Sequence, residues 1–230
     1  MLGCLYLRVN PVAKQSEQPV HFSDKSTLSF IEAREKAFSS FFGEKFTVSH
    51  ELAPMVPHLD VYIFKPDSDR DRDFFTLVTG GMSDLPMKSP KPLSFPRAEL
   101  ILYVEEPKDD YIALLRWLAR LVHDQGTWLS SGSTMTNGQP PRPIFAASRL
   151  DCYFFLTPPL EPDNSLPQKL VLENQPVSFL WVIPITSVEC DYIRKRGADD
   201  FLDILDRKDH PIVLDEERKL YVRARASGEG

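Results

Sequence analysis

Cysteine, glycine and basic tracts are all scarce in this 230-residue chain. Three cysteines, Cys4, Cys152 and Cys190, are too few and too scattered for a disulfide framework, and no pair has metal-ligand spacing. They read as free thiols of a reducing, cytoplasmic compartment. There are 10 glycines where average usage of ~7% predicts about 16. Gly80-Gly81 lacks both the Gly-x-Gly-x-x-Gly spacing and a P-loop lysine, so a phosphate cradle has no support. No run of ~18 apolar residues occurs, which excludes an evident membrane-spanning helix. No Asn-x-Ser/Thr acceptor is present. Lys and Arg number 27 against 33 Asp and Glu, a net charge of −6 without a long basic tract. Nucleic acid and anionic membranes are therefore not expected partners. Met1-Leu2-Gly3-Cys4 resembles a lipoprotein cleavage tetrad, but a signal peptide would need a basic region and roughly 7–15 apolar residues before the cysteine.

What is present is ordinary globular composition, 42% hydrophobic and 26% charged, and an excess of proline. The 20 prolines exceed the about 12 expected from average usage. Rigid X-Pro corners with few glycines suggest short strands joined by fixed loops. No linker interrupts the apolar segments. One domain is expected over 25–215, with an N-terminal arm or edge strand at 1–24 and a flexible tail at 216–230.

Phe30, Ile31, Ala37, Phe38, Phe41 and Phe42 recur at helical spacing, with Ser26 as N-cap, Ser29 and Glu32 at capping-box distance and Gly43 as the stop. His58–Phe64 and Phe74–Thr79 read as an antiparallel hairpin around the charged loop Asp67–Asp73. Pro86, Pro90, Pro92 and Pro96 forbid a regular element after Gly80-Gly81. Ala98–Glu105 is a third strand. Asp109 or Asp110 then caps the strongest helix, which ends at Gly126 with Arg116 and Arg120 as its wet stripe. Residues 127–143 are a polar connection, Ile144–Leu156 one or two strands, and Pro158–Pro167 a surface loop. Lys169–Glu173 is a strand. Val177–Ile185 is nearly all apolar and so central, with Pro184 at its end or at a bulge. Thr186 and Glu189 form a capping box for a helix broken at Gly197. A second short helix, Asp199–Lys208, and a strand at Ile212–Leu214 follow. Trp117 and Trp181 read as core, and Trp128 as partly exposed. The pattern is α+β with a mixed, largely antiparallel sheet.

Catalytic motifs fail at named positions. Gly81-Met82-Ser83-Asp84-Leu85 lacks the second glycine of a nucleophile elbow, and the prolines after it block the required helix. An EF-hand loop from Asp67 would need Gly and Glu where Arg72 and Val78 stand. His58 and Asp60 share a strand face, yet no further histidine motif completes a metal site. No cofactor is implied.

Phe75-Thr-Leu-Val-Thr-Gly-Gly-Met-Ser-Asp-Leu-Pro-Met87, after His58-Leu-Asp-Val-Tyr-Ile-Phe-Lys-Pro66, resembles the Suppressor of Fused domain family. Arg97-Ala-Glu-Leu-Ile-Leu-Tyr-Val104, Trp117-Leu-Ala-Arg120 with Thr127-Trp128, and Val177–Ile185 leading to Glu189 continue the resemblance in order, over roughly 25–208. The family implies a mixed-sheet domain that binds proteins rather than an enzyme. In animals it grips a peptide strand between this domain and a second one. Single-domain bacterial relatives include proposed immunity proteins, so a nearby toxin is the implied partner. An enzyme around the Gly80-Gly81 loop, or a scaffold without a toxin, are the alternative readings. Family-motif or partner-binding candidates are His58, Asp60, Thr79, Gly80, Gly81, Met82, Ser83, Asp84, Pro86, Glu99, Trp128 and Glu189.

Overall fold

The apolar run ending in Ile185 lies at the middle of a sheet and is covered on both faces. In the computed structural model the described residues are 24–53, 55–160, 163–168 and 170–222. The elements are α1 (Asp24–Phe42), β1 (Phe46–Ser49), β2 (Asp60–Phe64), β3 (Phe75–Gly80), β4 (Arg97–Val104), α2 (Asp109–Asp124), β5 (Thr134–Thr136), β6 (Cys152–Leu156), β7 (Val171–Leu172), β8 (Gln175–Ile185), α3 (Ser187–Arg196) and α4 (Ala198–Arg207). Short 3-10 turns occupy Ser68–Arg70, Met82–Asp84 and Asp163–Gln168.

The strand order is β1-β2-β3-β4-β8-β6-β5, with β7 paired to the start of β8. Among the described residues only β4 and β8 pair in parallel; the other strand pairs are antiparallel. This is the expected α+β architecture with a mixed, largely antiparallel sheet. Strand alternation splits the core in two. Tyr62, Phe64, Ile101, Tyr103, Phe179 and Ile183 face α1, α3 and α4. Val61, Leu77, Leu100, Leu102, Leu180 and Val182 face α2. Phe38 meets Phe42, Tyr62, Phe64 and Phe179 edge-on, with ring centroids 5.2–6.3 Å apart. Such pairs add roughly 0.5–1.5 kcal/mol beyond the area they bury.

Several local expectations are corrected. Helix α1 begins at Asp24, so Ser26 is a helix residue rather than its cap. β1 and β5 are additional to the expected strands. Their runs of four and three residues are too short for alternation to register. Lys108, not an aspartate, occupies the N-cap of α2. Arg116 and Arg120 are not a wet stripe: Arg116 donates to the carbonyls of Leu59 and Ser49, and Arg120 to Glu51 and the Pro57 carbonyl. Trp117 is 40% exposed rather than core. Ile212–Leu214 forms no strand, although the Leu214 amide bonds the Tyr103 carbonyl at 2.9 Å.

Asp163, in the expected surface loop, is fully buried. Its carboxylate accepts from Arg72 and from the Tyr103 hydroxyl, the latter at 2.6 Å. Pro184 stays within β8, opposite Tyr153. Pairing with β4 ends at Trp181, so no β4 carbonyl faces the missing proline N–H. The Thr186–Glu189 capping box is present. Arg218 and Tyr221 pack against it, while residues 1–23 of the segment expected as an arm or edge strand and residues 223–230 of the expected tail lie outside the described residues.

Candidate functional site

Glu99 organises the loop that the sequence singled out. It stands near the start of β4, beside the end of β3, and its side chain is fully buried. A buried carboxylate needs donors on both oxygens. Oε2 receives the Thr79 hydroxyl at 2.6 Å. Oε1 receives the Gly81 amide at 3.0 Å, the Ser83 amide at 3.1 Å and the Ser83 hydroxyl at 2.5 Å. Thr79 Oγ1 in turn accepts the Leu100 amide at 2.8 Å, which fixes the hydroxyl's direction. The 3-10 turn Met82–Asp84 is thus folded around Glu99. Burial pushes the Glu99 carboxyl up, while Arg34 and the hydroxyl donors pull in the other direction.

The glycines permit this close wrap. Gly81 has φ +113°, and a Cβ there would lie 1.9 Å from the His58 carbonyl oxygen. A Cβ on Gly80 would lie 2.5 Å from the Tyr62 ring. Leu85 is extended before exposed Pro86, as a pre-proline residue prefers. His123 Nε2 lies 3.0 Å from the Met82 carbonyl oxygen, which can only accept, so this nitrogen carries the proton. Met82 itself is fully buried in the α2-side core.

Two arginines that sequence reasoning missed close the corner. Arg34 of α1 pairs with Asp84. Arg97 donates to the carbonyls of Ser83 and Asp84, to Gln175 at 2.9 Å and to Glu173. Burial opposes the Arg34 charge, but the Asp84 and Glu99 carboxylates outweigh it and its pKa is raised. Burial raises Asp84 despite Arg34. Tyr62 is pushed up to about 12 by burial. Nothing in the sequence singled the arginines out: Arg34 lies in the charged stretch Glu32-Ala33-Arg34-Glu35-Lys36, and Arg97 follows Pro96 at the start of a strand.

His58 and Asp60 do meet, at 3.2 Å, just outside this corner. Asp60 also lies 3.1 Å from His50 and accepts the Glu51 amide at 3.0 Å. Glu51 pairs with Arg120 and accepts the Leu59 amide. Among the described residues no group of three or more His, Cys, Asp or Glu side chains is arranged to hold a metal ion. Glu189 and Trp128 lie apart from the corner. Glu189 is fully buried and holds the Thr186 amide, Arg218 and the Tyr221 amide. Arg218 lowers its pKa against the effect of burial. Trp128 is half-buried against the α2-side core.

Fold and corner define an α+β domain in which a buried glutamate pins a Gly-Gly turn between two strands and a helix. The chain belongs to the Suppressor of fused protein (SUFU) family, whose sequence profile matches residues 56–219. Its fold is similar to a SUFU homolog from Neisseria gonorrhoeae FA 1090, with a TM-score of 0.61 and 16% identity over 88% of this chain and 100% of that one. It is also similar to Sufu in the Sufu–Fu complex (TM-score 0.59, 12% identity, 85% of this chain and 91% of that one). Drosophila Suppressor of Fused matches with a TM-score of 0.60 and 14% identity over 85% of this chain, which spans 51% of that protein. No curated protein matches the sequence. Among the described residues no helix is long and apolar enough to cross a membrane.

Proposed function

We propose that this chain is a non-catalytic protein-binding domain that acts in the cytoplasm as an immunity protein, neutralising a toxin encoded beside it. The observation that carries the binding reading is the use of the loop's own chemistry. The Ser83 hydroxyl and both Glu99 oxygens, the groups an enzyme would need, are fully buried and spent on the fold. The relatives point the same way, since one of them is Sufu in complex with Fu.

Charge supports a basic partner. Asp69, Asp71 and Asp73 are exposed on the β2–β3 loop, and Asp199, Asp200, Asp203 and Asp206 are exposed on α4. Such carboxylates steer encounter more than they add affinity. The binding surface is expected on the loops 65–73, 80–96 and 127–143, which a rigid sheet presents. Co-expression with the product of the adjacent gene tests the reading. Rescue of growth together with a stoichiometric complex supports it. Turnover of a small molecule by this chain, with neither toxicity nor complex, overturns it.

A further inference from the structure

A groove of about 1100 Å³ opens between the end of β6 and the β7–β8 hairpin. Ser178, Phe179 and Leu180 of β8 all line it. Phe179 belongs to the α1-side core and Leu180 to the α2-side core. Successive side chains of a strand point to opposite faces, so three consecutive residues share one groove only along the strand's edge. The register shows why that edge is open. β6 pairs with β8 from Ile185 back to Trp181 and stops at Leu156. Pro158 and Pro159 follow, and they lack the N–H donors that would continue the ladder. β7 pairs only with Gln175 and Pro176, and the Val177 amide donates to the Leu170 carbonyl at 2.9 Å. Among the described residues no strand pairs with Ser178–Leu180 on this flank. The other flank is taken by β4. The Val177 amide faces the open flank, so the Phe179 amide and carbonyl, two residues on, face it too.

The walls of the groove are apolar and exposed. Phe95 is 41% exposed on one side and Val171 of β7 is 49% exposed on the other. An open strand edge flanked by exposed apolar side chains is a template for one more strand. The chain itself carries a segment of that kind outside the described residues. Leu5, Leu7 and Val9 alternate with Tyr6 and Arg8, the period-two pattern of a strand with one apolar face, and Pro11 ends it. Its tether enters on the correct side. α1 begins at Asp24, and the Arg97 guanidinium lies 5.9 Å from the ring of Phe30 in that helix. Arg97 also bonds Gln175 and Glu173 of the β7–β8 hairpin, which walls the groove. Residues 12–23 can span up to roughly 40 Å at ~3.3 Å each. A domain of this length has a radius of gyration of about 17 Å, so the groove is within reach.

We propose that this groove is the docking site of the chain's own N-terminal segment, with Leu5–Val9 added as a short strand along the open edge of β8. Main-chain hydrogen bonds to Phe179 supply the pairing, and the Leu5, Leu7 and Val9 face covers apolar wall that otherwise meets water. The site belongs to the chain alone and is independent of any protein partner.

The test uses the full-length chain, in which Cys4 adjoins the segment while Cys152 and Cys190 are buried. A second cysteine is placed on either wall, as Ser94→Cys or Val171→Cys, or on the exposed face of β1 as Thr47→Cys. Each variant is oxidised mildly at low protein concentration. At least one groove variant should form an intramolecular disulfide with Cys4, and Thr47→Cys should form none. Adding Leu5→Asp with Leu7→Asp should abolish that cross-link. In the otherwise unaltered chain the same two changes should speed hydrogen exchange of the Phe179 amide by about tenfold or more, with the Leu100 amide unchanged. The proposal is overturned if neither groove cysteine links to Cys4, or if Thr47→Cys links equally well. It is also overturned if Phe179 exchange ignores the two aspartates. A cross-linked dimer in place of the intramolecular disulfide overturns it as well, by giving the groove to a second copy.

Discussion

Arg34 and Asp84, 50 residues apart in sequence, form an ion pair that ties α1 to the turn after β3. Both side chains are largely buried, at 4% and 15% exposure. The same turn is held from β4 by Glu99 and Arg97. Helix, turn and strand are therefore one mechanical unit. Asp84→Ala should leave a buried guanidinium without its carboxylate and lower stability by on the order of 3 kcal/mol. Arg34→Met combined with Asp84→Ala should cost less than the sum of the single changes. Urea denaturation midpoints of the three variants check this.

Glu99→Ala should be more severe than Ser83→Ala. The first leaves the Gly81 and Ser83 amides and two hydroxyls without their acceptor, a loss on the order of 3–5 kcal/mol. The second removes one donor of four and should cost about 1 kcal/mol. Equal melting temperatures for the two variants would show that the carboxylate does not organise the turn.

Two glycines with positive φ should respond differently to alanine. At Gly81 the new methyl meets the His58 carbonyl oxygen, so the turn cannot form and soluble yield should collapse. At Gly197, φ +100°, nothing lies within 4 Å of the new methyl, so only backbone strain of about 1–3 kcal/mol applies. Comparable yields of the two variants would contradict the described turn.

Alternating or long apolar runs were legible in the sequence, which is why β2, β4, β8 and the body of α2 fell where expected. So did the α3 capping box, because both partners lie within four residues. The two-sided cover of the sheet was legible only for β8. Polar partners distant in sequence were not legible. Arg72 reaches Asp163 across 91 residues and Arg97 reaches Glu173 across 76, and a charged letter in a sequence does not reveal what it will meet. For the same reason Arg116 and Arg120 looked solvated. The Gly80–Asp84 segment was recognisable as special, but its dependence on Glu99 needed the β3–β4 pairing that brings the two together.

His210 predicts a pH dependence. Burial, and then the neighbouring Arg218 charge, lower its pKa to about 4, and its ring is 2.9 Å from the Tyr221 hydroxyl. The folded protein therefore holds the imidazole neutral, while the unfolded chain takes up a proton near the ordinary value of about 6.5. Stability from this site is present above pH ~6.5 and falls as pH drops towards 4, by on the order of 3 kcal/mol in all. A His210→Gln variant should show a flatter stability profile across that window in chemical denaturation at fixed salt. An unchanged slope would remove His210 as its source.

Association kinetics with the adjacent gene's product, at low and high salt, test the binding reading most directly. Wild type should form a stoichiometric complex without turning over a substrate. A variant with Asp69, Asp71 and Asp73 changed to Asn should melt as wild type does, yet associate more slowly and with weaker salt dependence. A turnover activity lost on Ser83→Ala at unchanged melting temperature, with no protein partner, would contradict it.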